Sequence, residues 1–300
     1  MHDVICDTTP ISDDTLVCYK TLPVWHHDTL PTAFQQPHNT QPGTWAQLTI
    51  LNGTLEFALL TEQGDVTQRF TFDRDHQPPR IAPQQWHRIV AFSPDIACRL
   101  AFYCEPAAYY HKKYQLTLPH SEVIEAAGII PPGRALDVGC GNGRNVLYLQ
   151  QQGFTVEGWD KHAESLASLN TIVSVEGLSG ITTAQHDLNG AVITGHYAFI
   201  LSTVVMMFLQ PESIAPLLQQ MQQATVPGGY NLIVAAMDSE DYPCVMPFPF
   251  TFRTGELRDA YAGWEILKYN ENPGALHKTN AQGERIKMRF ATLLARKGRG

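Results

Sequence analysis

A short apolar strand running straight into three alternating glycines, Ala135-Leu-Asp-Val-Gly-Cys-Gly-Asn-Gly-Arg-Asn145, constrains this chain more than any other segment. Gly139, Gly141 and Gly143 let the backbone turn sharply and approach a ligand where a Cβ would clash or forbid a positive φ. The helix expected over about residues 144–152 opens beside that turn, with free N–H groups facing it. Such a unit belongs to a doubly wound α/β sheet that receives its ligand at the carboxyl ends of its strands. From Arg134 onward the pattern alternates accordingly: strands at 134–138, 155–159, 181–186, 197–202 and 230–236, helices at 144–152, 163–176 and 212–224.

Acidic residues mark the ligand. Asp137 stands two positions before the first glycine, and Asp160 closes the strand Thr155-Val-Glu-Gly-Trp-Asp160. A dinucleotide site shows G-x-G-x-x-G with an acidic residue about 20 positions on. Here the glycines read G-x-G-x-G with an aspartate in front, which favours S-adenosylmethionine over NAD. Asp137 then answers a methionine ammonium, directly or through water, and Asp160 accepts from the ribose hydroxyls. Asp187, after the third strand, is placed for the adenine amine and Leu188 for the ring face; an ordinary Asx turn over Asp187-Leu-Asn-Gly190 is the alternative. The run 197–208 turns polar at Ser202 and Thr203, so Ser202, Thr203 and Val204 are placed at the pocket. Cys140, Asn145 and Lys161 complete the candidate cofactor set, with His120 a candidate cover.

Three hundred residues suggest two domains, taken as 1–105 and 106–300. A net charge of −8 argues against a nucleic-acid partner, whose phosphates need a basic face. No apolar run approaches the ~20 residues of a membrane span, and the first residues lack a signal-peptide pattern, so a cytoplasmic location without membrane contact is expected. The six cysteines show no C-x-x-C pair and read as reduced thiols.

The first domain reads as an all-β sandwich or open barrel, with strands near 47–51, 54–60, 66–72, 86–92 and 97–103. Asn52-Gly53 predicts a type I′ hairpin between the first two. Residues 109–115 read as a connector, and Ser121 as the N-cap of a helix over 121–127. Histidines 26, 27, 38, 76 and 87 lack the His-x-His spacing of a strand-borne metal site, so no metal is assigned. At the other end, Pro227-Gly-Gly229 reads as a turn feeding the fifth strand. A Pro-rich loop over 242–249 and a helix near 254–261 follow, and an antiparallel pair at about 264–270 and 285–295 closes the chain. The tail is locally basic, either a solvated edge or a seat for a small anion.

The glycine loop, Gly158-Trp-Asp-Lys161, Phe199-Ile-Leu-Ser-Thr-Val-Val205, Pro227-Gly-Gly-Tyr-Asn-Leu-Ile-Val-Ala-Ala236 and Arg289-Phe-Ala-Thr-Leu-Leu-Ala-Arg296 together resemble the TehB tellurite-resistance methyltransferases over about 109–297. The N-terminal half is similar to the cupin-like β-domain of the longer members. The resemblance implies a Rossmann-like methyltransferase sheet with an antiparallel last strand, preceded by a cupin-like sandwich. It implies methylation of tellurite, and of selenite, by S-adenosylmethionine. His277, Lys278 and Arg285 are the residues it aligns with basic contacts to the oxyanion. Lys278 keeps a charge but lacks the bidentate fork of arginine, and a plain polar loop is the alternative for this segment. The two-domain members suggest a homodimer. An organic acceptor such as a thiol, or a non-catalytic sensor, are the competing readings.

Overall fold

The computed structural model describes residues 15–279 and 282–299, without the side chains of His277 and Lys278. The chain divides into two compact units, the first ending at Leu116 and the second beginning at Thr117.

The first unit is a β-sandwich. Its strands are β1 (Val17–Thr21), β2 (Trp25–His26), β3 (Trp45–Asn52), β4 (Leu55–Leu60), β5 (Val66–Phe72), β6 (His87–Phe92) and β7 (Ala97–Cys104). β7 pairs with β1, β2 and β3, while β4 sits between β5 and β6; every pairing is antiparallel. Every second residue of β3 is buried (Ala46, Leu48, Ile50), as expected where one face meets a core. Leu55, Phe57, Ile89, Ile96 and Cys98 join them from both sheets.

The expected hairpin at Asn52-Gly53 does not form: β3 and β4 lie in different sheets. Among non-glycine residues with described backbone, Asn52 is not one with a positive φ, which a type I′ turn demands. Its side chain instead donates to the backbone carbonyl and carboxylate of Asp95, and Thr54 N–H donates to Ser93 Oγ. The turn is spent on crossing between sheets. The expected connector is also structured, as α1 (Tyr109–Tyr114), with Lys112 donating to the Pro42 carbonyl of the same unit.

The second unit contains α2 (Ser121–Ala127), β8 (Arg134–Val138), α3 (Arg144–Gln151), β9 (Thr155–Asp160), α4 (Ala163–Val175), β10 (Ile181–Gln185), β11 (Tyr197–Thr203), α5 (Pro211–Ala224), β12 (Thr225–Ala236), α6 (Glu256–Ala260), β13 (Glu265–Thr279) and β14 (Arg285–Arg296). The sheet order is β10-β9-β8-β11-β12-β14-β13, parallel through β12, with β14 antiparallel to both its neighbours. This is the Rossmann-like doubly wound sheet with a terminal antiparallel pair. The strand order reverses between β8 and β11, which places a crevice beyond their carboxyl ends.

Three local expectations change. Pro227-Gly-Gly229 is not a separate turn but a bulged stretch inside β12: Tyr197 faces Thr225, yet Phe199 already faces Tyr230. His120, not Ser121, caps α2, because its extended backbone lets Nδ1 accept from the Glu122 N–H at 3.2 Å. The terminal pair runs well past residue 270, and Pro273 through Ala275 still face β14. Since β14 enters from the opposite direction, this extension lies beyond the carboxyl ends of the parallel strands.

A buried polar chain anchors the start of β12. Tyr261 donates to Asn231 Oδ1 at 2.8 Å, Asn231 Nδ2 to Thr225 Oγ1 at 2.7 Å, and Thr225 to the Met221 carbonyl at 2.7 Å. Asn231→Leu should cost about 2–3 kcal/mol in urea unfolding, because it strands the Tyr261 hydroxyl, and adding Tyr261→Phe should recover part of the loss. Additive losses in the double variant would contradict this coupling.

Candidate active site

Strand β8 is buried on both faces, so Asp137 near its end is fully buried although it is ionisable. Neither carboxylate oxygen has a hydrogen-bond partner among the described residues, and the neighbouring Ser202 Oγ on β11 is likewise unpartnered. Burial pushes the Asp137 carboxyl up to about 7; the nearby Asp160 charge adds to this, while Arg144 and Asn145 oppose it. A buried carboxyl without a partner is expensive, and such groups mark places built for a ligand.

The glycine loop is fixed from outside itself. Gly139 and Cys140 N–H both donate to the Trp159 carbonyl at 2.8 Å, and Gly141 N–H donates to Asp160 Oδ2 at 2.8 Å. Asp160 Oδ1 accepts from His162 N–H at 2.9 Å. Each Asp160 oxygen therefore holds one backbone donor and keeps a lone pair for another. A cavity of about 340 Å³ opens beside these groups, lined by Gly139, Asp160, Lys161, His162, Asp187, Leu188, Val204, Val205, Phe208 and Leu209.

Of the residues placed at a cofactor from sequence, Gly139, Asp160, Lys161, Asp187, Leu188 and Val204 come together on that cavity. Asp187 also forms the Asx turn, accepting from Asn189 N–H at 3.0 Å, while it lines the cavity. Asp137 and Ser202 are buried on β8 and β11 and do not line it. Asn145 is occupied otherwise: Nδ2 donates to Thr203 Oγ1 at 3.0 Å and Oδ1 accepts from His120 N–H at 3.0 Å. Asn145, Thr203 and His120 thus form a brace joining α2, α3 and β11. The His120 ring, spent on capping, is held neutral by burial and by the Arg144 charge, near 4. Burial likewise raises the Cys140 thiol far above its usual range, which leaves it unreactive.

Four lining residues escape the sequence reading. His162 follows Asp160 by two, Phe208 ends the short 3₁₀ turn after β11, and Val205 and Leu209 flank that turn. Val204, just ahead of that turn, has a φ of +60°. For a β-branched residue this is strained, and it is pinned by the Val204 N–H bond to the Val234 carbonyl at 2.7 Å.

The loop after β12 and the extended terminal pair pack against the 3₁₀ turn that lines this cavity. Phe248 meets Phe208 edge-on at 5.3 Å, and Val204, Met207, Phe248, Leu276 and Met288 pack into one small apolar cluster. Phe252 is buried, so the loop aromatics divide between core and pocket rim. Arg289 is the engaged cation here. Its Nε lies 3.0 and 3.1 Å from the Asp241 carboxylate oxygens, and its guanidinium stacks over Tyr242. That contact holds the Asp241 carboxyl down to about 2. Arg285 is exposed and donates across the strand pair to the Leu276 and Ala275 carbonyls at 2.8 and 3.2 Å. The side chains of His277 and Lys278 lie outside the described residues. Among the described residues no three metal-ligating side chains converge.

The arrangement fits S-adenosylmethionine: an orphaned carboxyl for its ammonium, lone pairs on Asp160 for its ribose, and an apolar wall. The glycines differ in what they protect. A Cβ at Gly141 meets open space, whereas one at Gly143 would collide with the buried Leu169 side chain. Gly143→Ala should therefore lose about 2–3 kcal/mol of stability against about 1 kcal/mol for Gly141→Ala, measured by urea unfolding. Equal losses would place the constraint in backbone conformation alone.

Residues 102–294 match the family model described as "Tellurite resistance protein TehB", and residues 20–100 match that of the "TehB-like domain". The "Probable S-adenosyl-L-methionine-dependent methyltransferase TehB" of Haemophilus influenzae (strain 10810) is 51% identical over 282 residues, covering 94% of this chain and 98% of the relative. The crystal structure of TehB from Haemophilus influenzae superposes with a TM-score of 0.92 at 50% identity, covering 95% of this chain and 99% of that one. "Hemagglutinin 1" of Eikenella corrodens is 42% identical over 238 residues, 79% of each chain. A family model spanning most of the second unit, joined to a relative alike along nearly its whole length, settles the lineage: the chain belongs to the TehB family.

Proposed function

We propose that this chain, an S-adenosylmethionine-dependent methyltransferase, methylates tellurite, and selenite with it, as a detoxifying step. The observation that carries the cofactor half is Asp137, a fully buried carboxyl with two unpartnered oxygens at the mouth of the glycine loop. The tellurite half is supported by the family description "Tellurite resistance protein TehB" and by arginines at the acceptor edge.

When bound, S-adenosylmethionine supplies a sulfonium-activated methyl group. Asp137 receives the ammonium, Asp160 the ribose hydroxyls, and Asp187 with Leu188 the adenine. Val204, Val205 and Phe208 keep water from that side of the site. Tellurite carries a lone pair on tellurium, so the chain needs no strong general base; it needs alignment and cationic partners for the oxygens. His277, Lys278 and Arg285 are the proposed partners. Arg285 reaches an oxyanion by releasing its two carbonyl bonds, and Arg289, through Asp241, holds the loop that closes the acceptor side. The apolar cluster around Phe248, Met207 and Met288 favours a second reading, an organic acceptor such as a thiol.

Release of S-adenosylhomocysteine from the purified protein should depend on added tellurite or selenite. Arg285→Ala should lower kcat/KM for tellurite about 10- to 100-fold while cofactor affinity is unchanged. Cofactor binding without oxyanion-dependent release, or turnover only with thiols, would defeat the tellurite assignment.

Asp137 adds a pH signature. Its folded pKa is raised above the unfolded value, so in the ligand-free protein its contribution to stability is full below about pH 4 and lost as pH rises through about 7. The ionised form is the one that pairs with the ammonium, so cofactor affinity should climb between roughly pH 6 and pH 8. Calorimetric titration of Asp137→Asn should show weak, pH-independent binding and a ligand-free Tm at high pH raised by about 5 °C. An unchanged affinity profile would remove Asp137 from the site.

A further inference from the structure

The β-sandwich holds a cavity of about 450 Å³, larger than the one beside the glycine loop and unrelated to the chemistry above. That volume lies within the range of small-molecule sites. Its walls are mostly apolar and aromatic, with Trp25, Phe34, Phe57 and Phe102 among them. Two histidines, His38 and His87, also line it.

The histidines are held with unusual care. His38 and His87 face each other in an isolated antiparallel bridge, each N–H donating to the other's carbonyl at 3.0 and 2.9 Å. Their rings lie 4.2 Å apart, flanked by Phe34 on one side and Phe57 on the other. His38 Nδ1 sits 2.8 Å from the Gln36 carbonyl and His87 Nδ1 2.7 Å from the Gln85 carbonyl. A carbonyl only accepts, so each Nδ1 carries the proton and each Nε2 is left as an acceptor. No hydrogen-bond partner meets either Nε2 among the described residues. His87 is buried, and that burial together with the nearby His38 keeps it neutral, its pKa near 4.

Of the other polar groups at the cavity, two threonines are already used, two lysines carry the wrong sign for a cation, and Asn39 and Gln41 add neutral amides. Thr40 donates to the Ala82 carbonyl, and Thr44 pairs with the Tyr19 hydroxyl. Lys20 and Lys112 both line the cavity. To engage the two Nε2 acceptors an occupant brings a donor of its own; it also offers a flat apolar body to the rings and carries no positive charge, while Asn39 and Gln41 can meet an acceptor on it.

We propose that this cavity binds a neutral or anionic aromatic molecule bearing a hydroxyl or ring N–H, which donates to the paired His38 and His87 Nε2 acceptors. Phenols, hydroxybenzoates and indoles are the chemical class. The site is contained in the first unit and is independent of the methyl-transfer reading.

Isothermal titration of the full chain with 4-hydroxybenzoate, phenol and indole tests it, with toluene and benzylamine as controls. Saturable one-to-one binding is expected for the donors, about tenfold weaker binding for toluene, and none for benzylamine. His87→Phe keeps the flat ring and removes the acceptor, so it should weaken the donors by about tenfold and leave toluene unchanged. Should that variant not fold, the same ligands must shift the imidazole ¹⁵Nε2 resonances of the unaltered protein. Equal affinity for toluene and 4-hydroxybenzoate, or no heat and no shift at millimolar probe, would overturn the proposal. Tight binding of Zn²⁺ alone with both imidazoles shifted would also overturn it, in favour of a two-histidine metal seat.

Discussion

The second unit depends on how the end of β9 grips the glycine loop. One carbonyl, that of Trp159, takes two successive N–H groups, and the next carboxylate, that of Asp160, takes a third. A loop of three glycines has little stiffness of its own, because glycine gives up more backbone freedom on folding than any other residue. Three donors bound to one strand end restore that stiffness. They also orient Asp160, whose second oxygen is fixed by His162 N–H. The same bonds that order the loop therefore position the carboxylate that faces the pocket.

A second layer supports the first. Asn145 stands at the start of α3, yet its side chain reaches Thr203 on β11 and the backbone of His120 before α2. Asp137 lies inside this frame without a partner of its own. Asn145, Thr203 and His120 are bonded to one another, while the Asp137 carboxyl and the Ser202 hydroxyl beside it are left over. A braced frame around an orphaned carboxyl is costly to rearrange, so Asp137 gains little by shifting toward a protein partner.

Motifs that act through adjacent residues were legible in the sequence. The strand before the loop, Asp160 at the end of the next strand and Asp187 after the third each follow from local pattern plus the geometry of a doubly wound sheet. Contacts between distant residues were not. Nothing near Asn145 announces partners 58 and 25 positions away, so its bracing role was hidden. Asn52-Gly53 was legible as a turn but not as a sheet crossing, because the deciding partners, Asp95 and Ser93, lie about forty residues on. The length of the terminal pair was hidden because Pro273 and Gly274 look like a loop, yet both face β14. Val205, Phe208 and Leu209 carry no signal beyond apolarity, which serves a core and a pocket wall equally.

Val204 has a bearing on how such a sequence drifts. A branched side chain at a φ of +60° costs the ligand-free fold about 1–3 kcal/mol that glycine there would not. Substitution by glycine relieves that strain but loosens the unfolded chain and removes a side chain packed with Met207 and Met288, so the two effects oppose each other. Wherever valine persists at this position, what its side chain does on the pocket wall and in that cluster outweighs the backbone cost.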